Sequence, residues 1–142
     1  MDFLTALHVS GSALSAERTR VNLASSNLAN AETTRGPNGK PYQRMDPVFE
    51  SMQIAANGDA SNSQQEPLGV RVSGIATDQS PGKKVYSPGH PDADPEGFVI
   101  LPNVNPITEI VNLLSASRAF EANTTAVDTL KQMATRGLDI GR

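Results

Sequence analysis

The chain has no cysteine and no tryptophan, and aromatic residues make up only 4% of its 142 positions. Without cysteine there are no disulfides and no thiolate metal sites. With so few aromatics and a hydrophobic content of 37%, it is short of core material. A single large core in the monomer is therefore not expected. No apolar run approaches membrane-spanning length, so membrane insertion is not expected. The N-terminus lacks a basic stretch followed by an apolar one, which argues against a cleaved secretory signal. The formal net charge is −3 and the largest Lys/Arg cluster is the pair Lys83-Lys84. That excludes the basic patch a nucleic acid partner requires.

Catalytic chemistry is equally scarce. His8 and His90 are the only histidines and lie in separate segments. His90 with Asp92 and Asp94 is the one candidate metal cluster, and it reads better as a solvated loop. The run Asp92-Ala93-Asp94-Pro95-Glu96 has the spacing of calcium ligands without the rest of a loop to close around the ion. There is no phosphate-binding glycine loop and no Gly-x-Ser-x-Gly turn. No catalytic, metal or cofactor-binding residue is assigned, and no cofactor is expected.

What the chain does have is a helical seam at each end. Positions 4, 7, 11, 14, 18, 21, 25 and 28 alternate by three and four, and Leu7, Leu14, Val21 and Leu28 recur every seventh residue. At the other end Leu113, Phe120, Val127 and Ala134 recur in the same way, with Ala116, Asn123 and Leu130 between them. This is the period of coiled-coil-type packing. Leu4, Leu7, Leu14, Val21, Leu28, Leu113, Phe120, Val127 and Leu130 are the expected assembly seam. Asn123 sits on that seam, where a buried Asn fixes register. The first helix is dense in small residues, including Gly11 on the seam, which lets helices approach closely.

The middle is different. Ten prolines and eleven glycines break the chain into short pieces. The first helix runs from residue 2 to about 31. Asn and Thr between Asn27 and Thr33 then favour caps and turns. The Asn38-Gly39 pair predicts a turn with positive backbone angles. Residues 42–55 predict an edge or bulged strand interrupted by Pro47. Residues 56–67 read as a mobile polar loop. Alternation predicts a strand over 68–77, with short ones at Val85-Tyr86 and Phe98–Leu101. A helix follows from near Ile107 to about Arg136, with Pro106 near its first position and Gly137 as a stop. The expected fold class is α+β, with long N- and C-terminal helices forming a coiled-coil-type layer and a small central β-rich region. Three segments are expected: 1–34, the first helix with its Asn/Ala/Thr end; 35–105, the β-rich and loop region; and 106–142, the second helix.

Several stretches then resemble one family. Ser26-Asn27-Leu28-Ala29-Asn30-Ala31-Glu32-Thr33 is similar to the signature of the flagellar axial proteins, which build the bacterial rod and hook. The Pro37-Asn38-Gly39-Lys40-Pro41 insertion between Gly36 and Tyr42 resembles the proximal-rod members. Val85–Pro91, Gly97–Val99, Pro102–Asn105 and Ser115–Asn123 follow in the same order, with Phe120 where the family carries Tyr. The motif residues are Ser26, Asn27, Ala29, Asn30, Thr33, Gly36, Ser115, Arg118 and Asn123. The resemblance implies a structural subunit of a tubular drive shaft that crosses the periplasm around the export channel. It implies export through the flagellar type III apparatus without cleavage. The implied partners are copies of itself, neighbouring proximal-rod and distal-rod subunits, and the adaptor protein between the MS ring, the export gate and the rod. The alternative is a soluble coiled-coil adaptor or chaperone of a type III export system; a cell-wall hydrolase ranks last.

Overall fold

The computed structural model describes residues 3–54 and 68–140. The order is α1 (Phe3–Ala29), β1 (Met45–Gln53), β2 (Leu68–Thr77), β3 (Lys83–Tyr86), β4 (Phe98–Leu101) and α2 (Pro106–Ile140). The architecture is α+β: two long terminal helices and a small central region of short strands. The strands make two separate two-stranded sheets, β1–β2 and β3–β4. Pro47 lies inside β1. A two-stranded sheet has only edges, so the missing proline N–H is tolerated there. The segment read as a mobile polar loop lies outside the described residues.

The chain divides into two compact units. The first comprises Met1–Thr19, Val48–Gly74 and Ser115–Arg142. Its buried residues are small or few: Thr5, Ala16, Ile54, Gly69 and Ala116. The start of β2 passes close to α1, where the Ser12 hydroxyl accepts a hydrogen bond from the Val70 N–H at 3.2 Å. A Cβ on Gly69 would stand 2.8 Å from Ile54 Cδ1 and 2.9 Å from Ser12 Oγ, so a side chain there would have to displace one of them. On the surface of this unit Arg71 donates from Nε and from a terminal nitrogen to Glu50 Oε2, at 3.1 and 2.9 Å. Both side chains are more than half exposed. Glu50→Ala is therefore expected to cost only about 0–1 kcal/mol, read as a small shift in a thermal melt. A loss of several kcal/mol would contradict that.

The second unit comprises Arg20–Pro47 and Ile75–Leu114. Its buried residues include Leu23, Ala24, Asn27, Val99 and Glu109. β3 and β4 pair antiparallel, with Lys84 opposite Ile100 and Tyr86 opposite Phe98. The Asn38-Gly39 turn forms as the sequence suggests: Gly39 has φ +70° and donates to the Gly36 carbonyl at 2.9 Å. α2 begins with a side-chain cap. Asn105 Oδ1 accepts from the Ile107 N–H at 3.1 Å, and Pro106 occupies the first helical position. Gly137 does not stop this helix, which continues to Ile140. A glycine stop works by adopting a left-handed backbone, and among the described residues only Gly39 and Gly97 have positive φ.

Candidate functional site

The Asn/Ala/Thr segment closes α1 with its own side chains. Asn30 donates from its backbone N–H and from Nδ2 to the Ser26 carbonyl, at 3.1 and 2.9 Å. Thr33 Oγ1 donates to Asn30 Oδ1 at 3.2 Å. The chain then turns, and Thr33 accepts from the Tyr42 N–H at 3.1 Å. The turn is held from the loop between β3 and β4, where Asp92 accepts from Thr34 Oγ1 at 2.7 Å and pairs with Arg35 at 2.5 Å.

Asn27 is 1% exposed and uses its whole amide. Oδ1 accepts from the Tyr42 hydroxyl at 2.9 Å and from the Met45 N–H at 3.0 Å. Nδ2 donates to the Met45 carbonyl at 2.8 Å and to Glu109 Oε2 at 3.0 Å. The amide thus pairs with Met45 as a neighbouring strand would. Two acceptor and two donor positions are filled, which neither Asp nor Leu can reproduce.

Glu109 is also 1% exposed. It lies in the first turn of α2, where the helix dipole favours a carboxylate. Its other oxygen accepts from Arg44 Nε at 2.6 Å. Arg44 also pairs with Asp46. Burial opposes the Arg44 charge, but its hydrogen bond to Glu109, that carboxylate's charge and Asp46 outweigh it and raise the guanidinium pKa. Asn103 completes the group: Oδ1 accepts from the Arg44 N–H at 2.8 Å, and Nδ2 donates to the Asp78 carbonyl at 3.0 Å. Backbone pairing of Asp78 N–H with the Arg44 carbonyl at 2.8 Å closes the circuit. Eight residues thus bind the end of α1, both chain ends of the β1–β2 pair and the start of α2. The node ties the end of α1 to the first turn of α2.

The seam residues fall as follows. Leu7, Leu14, Val21, Leu28, Leu113, Val127 and Leu130 are half-buried, Leu4 is exposed, and Phe120 is 37% exposed. On α1 the deepest positions, Thr5, Ala16, Leu23, Ala24 and Asn27, run alongside that seam. A Cβ on Gly11 would meet nothing within 4 Å, so nothing in the chain itself requires glycine there. Leu4, Leu7, Gly11 and Ser15 instead line an open groove together with His8, Ser12 and Met52. Of the motif residues, only Asn27 is buried; Ser26, Asn30, Thr33, Gly36 and Asn123 are half-buried, and Ala29, Ser115 and Arg118 are exposed. Asn123 donates to the Ala119 carbonyl of its own helix at 2.9 Å. Arg44 and Asn103 lie in stretches that resemble the family, whereas no signal in the sequence marks Glu109. The heptad period does not mark the row Ile107, Ile110, Val111 and Leu114, which is exposed at the start of α2 although it is wholly aliphatic. Among the described residues no three His, Asp or Glu side chains converge as a metal site would require. None of the described helices is long and apolar enough to cross a membrane.

The termini that carry these features are also the parts that family models recognise. Residues 7–37 match the flagella basal body rod protein model, and residues 96–140 match the C-terminal model of the flagellar basal body rod FlgEFG proteins. Similarity extends over the full length: the flagellar basal-body rod protein FlgC of Salmonella typhimurium is 42% identical over 142 residues, covering all of both chains. The chain belongs to the FlgC family of flagellar basal-body rod proteins. The FlgC protein of Bacillus subtilis is 44% identical with 96% of each chain covered. That of Borreliella burgdorferi is 38% identical, covering 99% of this chain and 98% of its own. Both helices and the node between them thus lie inside the region shared with these FlgC proteins.

Proposed function

We propose that this chain, a structural subunit of the flagellar basal-body rod, builds the proximal part of that rod. There it forms, with other rod components, a tube that carries motor rotation across the periplasm and surrounds the export channel. The full-length likeness to FlgC proteins carries this reading. The surface supports it: Ile107 is 74% exposed, and Ile110, Val111, Leu114, Met133 and Leu138 are exposed on the same helix. A 142-residue chain that leaves so much aliphatic surface on one helix is suited to being covered by neighbours. Residues 1–34 and 106–142 would supply an inner helical layer through Leu4, Leu7, Leu14, Val21, Leu28, Leu113, Phe120, Val127 and Leu130, and residues 35–105 would pack outside it. Head-to-tail contacts of this kind generate open helical arrays. The partners are copies of the chain, adjacent proximal-rod and distal-rod subunits, and the adaptor at the MS ring and export gate. Delivery is through the flagellar type III apparatus. The role is structural rather than enzymatic. A soluble export adaptor has no comparable support, because the relatives are rod proteins over their whole length.

Mass spectrometry of detergent-purified basal bodies tests this, comparing wild type with a strain lacking the chain. The expected result is that the chain is present in the wild type and that the deletion lacks rod, hook and filament. Intact basal bodies without the chain would end the rod reading.

A further inference from the structure

The β3–β4 hairpin has two unlike faces. Strand alternation puts Val85 and its partner Val99 on one face, and Val99 is buried. The other face carries Lys84 opposite Ile100 and Tyr86 opposite Phe98. Tyr86 is 65% exposed and Ile100 is also exposed. Tyr86 nevertheless has a fixed place. Its ring stands edge-on to Phe98 at a centroid distance of 5.3 Å and an angle of 67°. Gly97, at φ +80°, passes so close that a Cβ would lie 2.9 Å from Tyr86 Cε2 and 3.2 Å from Pro88 Cβ. Lys84 Nζ lies over the Phe98 ring at 5.3 Å. An aromatic that is already ordered and still largely exposed loses little entropy when it is covered, which is what an interface anchor needs.

Charge indicates what covers it. Lys84 is the basic residue on this face, in a chain with 15 acidic and 12 basic side chains. Arg35, Arg44 and Arg71 have carboxylate partners, whereas the Lys84 ammonium lies over the Phe98 ring. A positive spot on a negative chain complements a different face of the same chain. We propose that the Lys84–Tyr86–Phe98–Ile100 face docks onto a carboxylate-bearing face of a second copy of this chain. The aromatic pair supplies the buried area, and Lys84 sets orientation rather than much of the affinity. Such a contact is head-to-tail, because the two faces differ. The proposal rests on the rod-subunit reading, since a repeating array is what brings copies side by side.

The test places the photo-crosslinker benzoylphenylalanine at position 86 of the full-length chain, expressed in a strain lacking the native copy. Cells are irradiated, basal bodies are purified, and products are identified by mass spectrometry. The expected product has twice the 15.0 kDa chain mass. It joins position 86 to an Asp- or Glu-containing peptide of another copy. Lys84→Glu in the same background should lower its yield at least fivefold, while Lys40→Glu, off this face, should leave it unchanged. A crosslink to a different protein, or no product from basal bodies that contain the chain, overturns the copy-to-copy contact alone. Absence of the chain from basal bodies overturns the rod reading and this contact with it.

Discussion

Glu109→Ala is expected to lower the unfolding free energy of the purified chain by roughly 3–5 kcal/mol, the usual consequence of removing one partner of a buried ion pair. The carboxylate is 1% exposed and holds Arg44 Nε and Asn27 Nδ2 on separate oxygens. Without it the Arg44 guanidinium keeps only Asp46, which is half exposed. Asn27 Nδ2 keeps its bond to the Met45 carbonyl. Glu109→Gln should cost less than Ala, because its amide oxygen can still accept from one of the two donors. Asn27→Asp should be costly as well, since a second carboxylate oxygen would face both the Met45 carbonyl and Glu109, at about 1–3 kcal/mol per group left unsatisfied. The double variant Arg44→Met/Glu109→Met should lose clearly less than the sum of its singles, because no uncompensated charge remains. Urea unfolding of these variants, of the Arg44→Met and Glu109→Met singles and of the wild type decides it. Strict additivity of the Arg44 and Glu109 changes would mean that the pair is not coupled and that the node is not a unit.

The sequence foretells local features well where one residue type settles the geometry. β2 spans Leu68–Thr77 and β4 spans Phe98–Leu101, both read from alternation or a short bounded apolar run. The Asn38-Gly39 turn and the proline at the start of α2 follow from backbone restrictions of the residues themselves. Gly137 shows the limit of such signals. A glycine permits a helix stop without requiring one, and here the helix runs on through it. The node was illegible for a different reason. Asn27 and Glu109 are 82 positions apart, and Arg44 lies 65 from Glu109. In the sequence Asn27 reads as a cap-forming residue beside Asn30, and Glu109 as a favourable charge in a helix's first turn. Only tertiary packing reveals that each saturates the other. The exposed row from Ile107 to Leu114 flanks the stripe that starts at Leu113, so the heptad period does not mark it.

The second large effect is expected where the chain must meet its neighbours. Leu14→Asp and Val127→Asp should each abolish motility in a swim-plate assay while the variant is still exported. Both side chains are half-buried in the isolated chain. Each therefore retains some exposed surface for another subunit to cover, and a carboxylate there can remain hydrated as long as the chain is alone. In an assembled helical layer the same charge would lose its water without gaining a partner, which costs several kcal/mol at each subunit. Because a tube repeats its contacts, that cost recurs at every copy, and a modest defect in one chain becomes failure of the polymer. Circular dichroism separates this from simple misfolding: both variants should keep the helical signal of the wild type in solution. Export is followed by the appearance of the variant outside the cytoplasm, and assembly by its absence from basal bodies. Normal swimming by both strains would show that Leu14 and Val127 face no neighbour. Loss of helical signal in the purified variants would assign both residues to the fold of the single chain instead.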